Sequence, residues 1–393
     1  MDFTAPPVRA RFDQQRCRNQ DGEMDSLLVI RVDPSEVVHE MTNGEVYLRV
    51  GDESRRLGFA ARQELQFDKG QSQYDGQPAP GVGTEALDDA LIKNYRSRTG
   101  ATGTTKQLLV ARSLLTPKGE LTNAGYLLFA PHPQQLFPQA YIRVIKFLTS
   151  QRGTGARLGV QEGSDVRIEG PIPTAIQHAA KAISELIPQR RALADSGLFE
   201  AQPIVPRDAW LEGVVNAVIH RSYSLAGDHV RVEIYPDRIE IESPGRFPGL
   251  ANPAVPLEVS RFARNPRIAR VCADLRIGQE LGEGIKRMFE EMRRVGLTDP
   301  VYKQGGGSVR LVLAALPRLH AGQAQRLPRG SQDILDILRA AGRGLGTGDI
   351  AEAINLSRPA TMKRLRALEA ENLVSWHGKS ARDPRAYWTL KET

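Results

Sequence analysis

The sequence predicts an α+β fold with several domains, and three observations support this. Alternating apolar and polar residues in "DHVRVEIYPDRIEIESPG" are typical of two strands joined by a tight turn. Apolar residues recur at helical spacing in "PIPTAIQHAAKAISELIPQRRAL" and in "PRDAWLEGVVNAVIHRSYS". Residues 331–393 contain three short helical segments followed by two strand-like segments. A chain of 393 residues is long enough for two or three domains.

The composition indicates a basic protein of the cytoplasm. A net charge of +7 makes a polyanion such as nucleic acid a plausible partner, although a merely basic surface explains the charge equally well. The two cysteines, Cys17 and Cys272, cannot form a disulfide framework, which fits a reducing compartment. We expect no membrane span, because no stretch approaches 18 uninterrupted apolar residues.

The first 204 residues predict two regions ahead of the main site. In residues 1–85, "DSLLVIRVDPSE" and "GEVYLRVGDES" are strand-like, and the turn-rich stretch "GQSQYDGQPAPGVGTEA" forms a linker. Residues 86–204 contain helical spacing at 87–98 and 104–115 and the amphipathic helix that starts at the proline of "PIPTAIQ". We expect this region to be an α/β connection packed on the core that follows.

One predicted helix carries three polar residues four apart, namely Glu212, Asn216 and His220. Residues at i, i+4 and i+8 lie nearly above one another on a helix. Apolar residues flank this line, so the polar side chains lie at the edge of a buried face. Because an unpaired buried carboxylate or amide costs several kcal/mol, roughly, each of them needs a partner.

The order of four segments resembles the ATP-binding Bergerat fold of the GHKL superfamily of gyrases, chaperones, histidine kinases and mismatch-repair proteins. These segments are "EGVVNAVIHRSYS", "YPDRIEIESPGRFP", "RNPRIAR" and "GQELGEGIKRM". More closely, they resemble the divergent ATPase domain labelled as RecG-like helicase or transcriptional regulator, which follows a Schlafen-type AlbA-like domain. The resemblance implies a Bergerat-type α/β sandwich over residues 205–316.

The same resemblance implies ATP and Mg²⁺ as cofactors. Asn216 would coordinate a Mg²⁺ that bridges the phosphates, and hard cations of this kind take oxygen ligands. Glu212 would orient or deprotonate a water for attack on the γ-phosphate, which implies a weak ATPase. His220 and Arg221 would meet phosphate charge. Alternatively, Glu212 and Arg221 pair with neighbours in a structural network.

Glycines near the expected nucleotide suggest close backbone approach. Gly245 would let the backbone approach the base, while Gly282 and Gly284 precede a helix whose N-terminal amides suit phosphate. Ser243 stands where most of the superfamily has an aspartate that binds the adenine amino group. Glu242 or Asp237 are possible substitutes, and the base specificity stays open.

The segment "NPAVPLEVSRFARNPRIAR" is expected to be a lid over the nucleotide. Arg264, Asn265 and Arg267 are its candidates for phosphate contact, and the alternative is a solvated connector. The chain contains no G-x-x-x-x-G-K-[ST] motif, so we expect no P-loop helicase motor.

The N-terminal stretch "SLLVIRVDPSEVVHEM…GEVYLRVGDESRRL" resembles the second half of the Schlafen-type AlbA-like domain. Its arginines Arg49, Arg55 and Arg56 are possible nucleic-acid contacts, although an exposed charge cluster is the simpler interpretation. We find no counterpart of the acidic and lysine residues in the front half of that domain. Nuclease activity is therefore not expected.

After a linker at 317–330, residues 331–393 resemble a winged helix-turn-helix domain that binds double-stranded DNA. Thr347 and Ser357 are the expected N-caps of the second and third helices. The third helix would enter the major groove. Its candidate DNA contacts, with those of the wing, are Arg358, Thr361, Lys363, Arg364, Arg366, Lys379, Arg382 and Arg385. Winged helices also mediate protein contacts, which is the alternative.

Taken together, these features predict an ATP-binding, DNA-associated transcriptional regulator. Nucleotide binding, with or without slow hydrolysis, would control DNA binding or formation of a homodimer. The alternatives are a non-enzymatic winged-helix regulator with a degenerate pocket and an interaction platform of a defence or repair system.

Overall fold

A computed structural model describes residues 3–33, 35–50, 53–155, 158–193, 199–247, 253, 255–258, 262–278, 283–305, 307–316, 326–341, 343–378, 383 and 385–391. Three residues assigned to sites from the sequence, Gly282, Lys379 and Arg382, lie outside the described residues. So do residues 252, 254 and 259–261 of the expected lid.

The described residues form strands and α-helices in the following order. The N-terminal part contains β1 (Thr4–Ala5), β2 (Ala10–Arg18), β3 (Met24–Val32), β4 (Glu40–Met41), β5 (Tyr47–Val50), β6 (Glu53–Arg56) and α1 (Phe59–Asp68). There follow α2 (Asp89–Thr99), α3 (Thr105–Ala111), α4 (Asn123–Phe129), β7 (Ile142–Phe147), β8 (Val160–Ile168), α5 (Ile172–Leu186), β9 (Gln189–Leu193) and β10 (Phe199–Pro203). The next segment contains α6 (Arg207–Ile219), β11 (Val230–Ile234), β12 (Arg238–Pro244), α7 (Pro266–Asp274), α8 (Gly284–Arg294), β13 (Val301–Gly305) and β14 (Ser308–Ala314). The chain ends with α9 (Ser331–Ala341), α10 (Thr347–Ala353), α11 (Arg358–Ala370), β15 (Val374–His377) and β16 (Tyr387–Leu390).

A six-stranded sheet forms the centre of the molecule, in the spatial order β13-β14-β12-β11-β7-β8. The predicted hairpin is β11 and β12, which pair antiparallel with Val232 opposite Ile241. Strand β7 pairs parallel with β11, and Val144 lies opposite Val232. The predicted α+β class is therefore confirmed. Because β7 and β8 belong to residues 86–204, this region is part of the central sheet as well as packed on it.

The two faces of the sheet differ because apolar and charged residues alternate along its strands. Val232, Ile239 and Leu313 are fully buried beneath the helices. The opposite face carries charged residues, and Arg310 bridges two of them, with distances of 3.1 Å to Glu240 and 2.7 Å to Glu242. One sheet covered by helices on one side is a two-layer sandwich.

Helix α6 lies directly against the helix-covered face of the sheet. A Cβ atom on Gly213 would stand 2.7 Å from Leu311 Cδ2 and 2.8 Å from Ile241 Cδ1, so the helix approaches more closely than any other residue type allows. Trp210 and Val214 are buried in the same core. Helix α8 packs beside α6, and α5 packs on both β7 and α6.

The N-terminal part is much less well packed. Its three hairpin-like strand pairs, β1 with β4, β2 with β3 and β5 with β6, are separate two-stranded sheets. Its own core contains only Val38, Val46 and Leu65 as buried residues among the described positions. Strand β2 was not predicted, because Phe12 is nearly the only apolar residue in an otherwise polar run.

The C-terminal domain has the predicted order of three helices and two strands. Its core is separate from the central one and includes Ile334, Leu365 and Trp388, each fully buried. Ser357 caps α11 as predicted, since its hydroxyl accepts from the amide of Ala360. The expected cap Thr347 is wrong: Gly346 occupies the cap position of α10, and Thr347 Oγ1 accepts from the indole of Trp388 at 3.1 Å.

Candidate functional site

Helix α6 places Glu212, Asn216 and His220 along one side, as the spacing predicts. The helix spans Arg207–Ile219, with Pro206 as its N-cap and His220 as its C-cap. The carboxylate of Glu212 is buried, with 4% of its side chain exposed, and two side chains satisfy it. Asn216 Nδ2 donates to Oε1 at 3.1 Å, and Arg287 Nη2 donates to Oε2 at 2.7 Å. The two residues expected to perform the nucleotide chemistry are thus bonded to each other.

Arg287, from α8, was not identified in the sequence. It lies 75 residues from Glu212 along the chain, and no local pattern connects them. The ion pair depends on Gly284 at the start of α8, because a Cβ atom there would lie 1.8 Å from Glu212 Oε1. Gly284 is therefore needed because the start of α8 packs against the Glu212 carboxylate of α6.

A small cavity of about 90 Å³ lies between α6 and the sheet. Its lining combines polar side chains with aromatic ones, and includes Asn216, His220, Ser243, Phe247, Phe262 and Tyr302. A much larger and more open groove, about 930 Å³, lies on the other side of α6. It is lined by α5, α6, the end of α7 and Arg287, and Glu212 borders it.

His220 is neutral at physiological pH in this setting. Burial, reinforced by the positive charge of Arg264, lowers its pKa from 6.5 to about 4. Its Nδ1 is sealed from solvent and has no hydrogen-bond partner within the described structure. A buried ring nitrogen without a partner beside a cavity is suited to a ligand that supplies one.

Ser243 Oγ donates to the carbonyl of Ala217 at 2.6 Å, on the helix-covered face of the sheet. With its proton committed, the hydroxyl retains only acceptor capacity towards the cavity. The two possible substitutes for the missing aspartate do not line the cavity. Glu242 points to the opposite face and binds Ser308 and Arg310, and Asp237 lies in the β11–β12 turn, 2.9 Å from Arg238.

Gly245 has a φ of +115°, which side-chain-bearing residues rarely adopt. Its amide donates to the carbonyl of Gly307 at 2.7 Å. A Cβ atom at this position would meet the guanidinium of Arg264 at 3.0 Å. The close approach that this glycine permits is therefore to Arg264, a residue of the chain itself.

Arg221 does not face the cavity. It is 2% exposed, and its guanidinium donates to the carbonyls of Leu225 at 3.2 Å and Asp228 at 2.7 Å. It also stacks on Tyr223, 4.8 Å from the ring centroid. These contacts match the structural alternative for Arg221, while its Nε and Nη1 are buried without a hydrogen-bond partner within the described structure.

Arg264 and Asn265 likewise hold the chain together at the end of the expected lid. Arg264 Nη1 lies 2.5 Å from Asp68 Oδ1, and Asn265 Nδ2 donates to the carbonyls of Ile219 and Arg221. Arg267 pairs with Asp75 at 3.0 Å. In this conformation all three predicted phosphate contacts are engaged with protein groups.

Helix α1 reaches the rim of the cavity, a relationship that the sequence did not reveal. Asp68 at its end pairs with Arg264, and Glu64 accepts from Ser222 Oγ at 2.7 Å. Burial raises the pKa of the Asp68 carboxyl, while the charge of Arg264 opposes the rise. The N-terminal part and the candidate nucleotide site are therefore physically joined.

The predicted DNA contacts of the winged helix divide into two groups. Arg358, Lys363, Arg366 and Arg385 are exposed. Thr361 is fully buried and donates to the carbonyl of Ser357, so it cannot reach a DNA base. Arg364 is only partly exposed, because it binds the carbonyls of Arg329 and Ala360 at 2.6 Å and 2.8 Å. Of the exposed group, Arg358, Lys363 and Arg366 belong to α11, and Arg385 lies two residues before β16.

Two family models match the chain in the predicted order. Residues 227–313 match the family described as putative ATP-dependent DNA helicase RecG C-terminal. Residues 331–375 match the winged helix-turn-helix DNA-binding family. These matches define a chain in which a RecG C-terminal-like ATPase domain precedes a winged helix, and they confirm the resemblance for these two domains. The first match begins after α6, so it does not include Glu212 or Asn216.

Among solved structures, the chain is similar to the DIP2311 protein from Corynebacterium diphtheriae. The sequence identity is 22% and the TM-score is 0.50, over 96% of this chain and 76% of the other. A likeness at this identity concerns the fold alone. Comparison with curated proteins finds no match. Within the described part of the chain, no helix is long and apolar enough to cross a membrane.

Proposed function

We propose that the chain is an ATP-binding, DNA-associated transcriptional regulator. The observation that carries the proposal is the bond between Glu212 and Asn216 at the edge of an aromatic-lined cavity. Because Asn216 Nδ2 donates to Glu212, the amide oxygen Oδ1 points away from that carboxylate. A fixed amide oxygen beside a cavity is suited to a metal–phosphate ligand.

The donor set fits Mg²⁺ with few protein ligands. Mg²⁺ usually retains several waters and binds one or two protein oxygens together with substrate phosphates. Asn216 Oδ1 would be that protein ligand, and the bound ion would neutralise phosphate charge. Glu212 orients the amide of Asn216, which keeps the oxygen, rather than the nitrogen, available.

Ser243 and His220 favour adenine over guanine. The Ser243 hydroxyl, whose proton is donated to Ala217, offers only lone pairs and so accepts from the 6-amino group of adenine. The 6-oxo group of guanine would meet those lone pairs unfavourably. Neutral His220 supplies a second hydrogen-bonding nitrogen with no partner of its own among the described residues.

Binding requires the cavity to enlarge. Its volume of about 90 Å³ is below the roughly 300 Å³ at which small-molecule sites begin. Phe262 is the residue whose displacement would open it, since it lines the cavity and belongs to the expected lid. Movement there would reach Asp68 through Arg264, and in this way nucleotide would influence the N-terminal part, self-association and DNA binding.

We expect ATP hydrolysis by this chain to be slow. The carboxylate of Glu212 is held by Arg287 and Asn216, so it must be released before it can accept a proton from water. The same observation favours a second candidate function, a winged-helix regulator that binds nucleotide without hydrolysing it.

Calorimetric titration of ATP and ADP with Mg²⁺ tests the proposal. We expect saturable, magnesium-dependent binding to the wild type and its loss in Asn216→Ala. The matched control is Gln177→Ala, which changes the groove on the other side of α6 and should bind normally. Competition by GTP should be weak for the wild type and stronger for Ser243→Ala. An absence of binding to the wild type would contradict the nucleotide function.

A further inference from the structure

Strands β2 and β3 form a hairpin that stands apart from the rest of the molecule, here called the N-terminal arm (residues 10–32). Each strand has nine residues, and within the described part of the chain the two strands pair with each other alone, in a two-stranded sheet. Nearly every residue of both strands is exposed. An isolated two-stranded hairpin is marginally stable in water at best.

One face of the arm is apolar. Cross-strand partners share a face, and Phe12 lies opposite Ile30 while Ala10 lies opposite Val32. Phe12 and Leu28 are each 66% exposed. The other face carries the ion pairs of Arg11 with Asp33 and of Arg31 with Asp13. The arm is thus amphipathic, with its apolar face uncovered.

The exposed apolar residues concentrate in this part of the chain. Among the described residues, 17 large apolar side chains are exposed, and 11 of them lie between Phe3 and Phe59. Five of them, namely Phe12, Met24, Leu28, Ile30 and Val32, lie on the apolar face of the arm. An exposed strand edge beside such apolar side chains is a template for pairing with another strand.

We propose that the arm pairs with the arm of a second copy of this chain, through the open edge of β3. The sequence of β3, "MDSLLVIRV", is complementary to itself when two copies run antiparallel about Leu28. The opposed residues are then Met24 with Val32, Asp25 with Arg31, Ser26 with Ile30, Leu27 with Val29, and Leu28 with Leu28. Four of the five positions match an apolar pair or opposite charges.

Strand β2 lacks this complementarity. Antiparallel pairing of "ARFDQQRCR" with its copy about Gln14 would set Phe12 opposite Arg16 and Ala10 opposite Arg18. The β3 edge is therefore the interface, and the resulting sheet has the order β2-β3-β3-β2. The apolar face of this sheet is continuous across both copies, because the two Leu28 side chains lie opposite each other on the same face.

Charge argues against nucleic acid as the occupant. Residues 9–33 contain five arginines and five acidic residues, which is no net charge. Binding to phosphate backbones depends on a positive surplus. A neutral, amphipathic, edge-exposed hairpin fits a protein strand of matching pattern, and the chain itself contains one. The β3 edge shares no residue with the cavity of the proposed ATP site, so the two proposals can be tested separately.

Disulfide trapping in the full-length chain tests the pairing. In an antiparallel pair, opposed Cα atoms are about 4.5–5.5 Å apart, within the range of a disulfide. In a Cys17→Ser background, Leu28→Cys should form a covalent dimer under mild oxidation. The matched control is Gln14→Cys, on the same face of β2, whose copies would be roughly three strand spacings, or about 14 Å, apart. Equal cross-linking of the two variants would overturn the proposal.

Charge exchange gives a second test in the absence of nucleotide. By analytical ultracentrifugation, the wild type should be dimeric at micromolar concentration. Asp25→Arg and Arg31→Asp should each weaken the dimer at least tenfold, and the double variant should restore most of the affinity. A monomeric wild type, or a dimer that neither single variant weakens, would overturn the pairing. Neither result bears on ATP binding measured by calorimetry.

Discussion

Arg287 Nη2 lies 2.7 Å from Glu212 Oε2, across the contact of α8 with α6. The carboxylate is buried, whereas 40% of the Arg287 side chain is exposed. The ion pair is therefore needed mainly to compensate the buried carboxylate of Glu212, because the guanidinium of Arg287 can also be solvated by water. Because Asn216 binds the other carboxylate oxygen, one ion pair also fixes the orientation of the proposed metal ligand.

Replacement of Arg287 by methionine should destabilise the protein, because it leaves a buried carboxylate with one hydrogen bond. We expect the free energy of unfolding to fall by about 2–4 kcal/mol. Chemical denaturation at pH 7 measures this change. The double variant Glu212→Gln/Arg287→Met should recover more than half of the loss, since no charge then remains to be compensated. A single variant as stable as the wild type would contradict this account of the pair.

Gly284→Ala and Gly213→Ala should each lower the free energy of unfolding, because both glycines lie at close contacts of α6 with α8 or with the sheet. The new methyl group would overlap Glu212 in the first case and Leu311 with Ile241 in the second. Overpacking of this kind costs about 1–3 kcal/mol. The control is Gly227→Ala, where nothing lies within 4 Å of the added atom. Thermal unfolding of the three variants should separate the control from the other two by several degrees.

The protonation of His220 should make stability depend on pH. Its folded pKa, about 4, is lower than its ordinary value of 6.5, so the unfolded state binds the proton more strongly. The contribution of neutral His220 to the free energy of unfolding is therefore fully present above pH 6.5 and is lost as the pH falls towards 4. We expect a contribution of about 1–3 kcal/mol over this interval. His220→Gln should make the free energy of unfolding less dependent on pH, which chemical denaturation of both proteins at several pH values between 4 and 7 measures. If the free energy of unfolding of the variant fell with pH as steeply as that of the wild type, His220 would not be the group responsible.

Local patterns in the sequence predicted several of the helices, the hairpin and the winged helix, but not helices α1 and α7. The alternation in β11 and β12 and the cap at Ser357 are properties of neighbouring residues, and the structure has both. Binding of Asn216 to Glu212 also follows from their spacing by one helical turn. Such features need no knowledge of the rest of the fold.

Contacts between distant segments were not predictable in this way. The parallel pairing of β7 with β11, and the contact of Asp68 with Arg264, join parts of the chain with no common pattern. An arginine near a glycine-rich segment has the same sequence appearance whether it binds a phosphate or a carbonyl group. The sequence therefore assigns Arg221 and Arg264 to phosphate, and in this conformation each also donates to a backbone carbonyl group.

The exposed cations of α11 should determine DNA affinity. Arg358 and Lys363 are both exposed on this helix, in a domain where residues 326–393 hold 12 basic and 8 acidic residues. Arg358→Ala and Lys363→Ala should each weaken binding to duplex DNA. Each should also reduce the slope of log affinity against log salt by about 0.9, if the side chain neutralises one phosphate.

Fluorescence anisotropy with a labelled duplex at several salt concentrations measures both quantities. The control is Lys391→Ala, an exposed cation whose Nζ binds Asn372 beyond the end of α11. This variant carries the same change in charge but should leave the slope nearly unchanged, because its position is far from the start of the helix. Equal losses in all three variants would indicate attraction by net charge alone. A loss confined to Arg358 and Lys363 would instead identify α11 as the DNA-contacting helix.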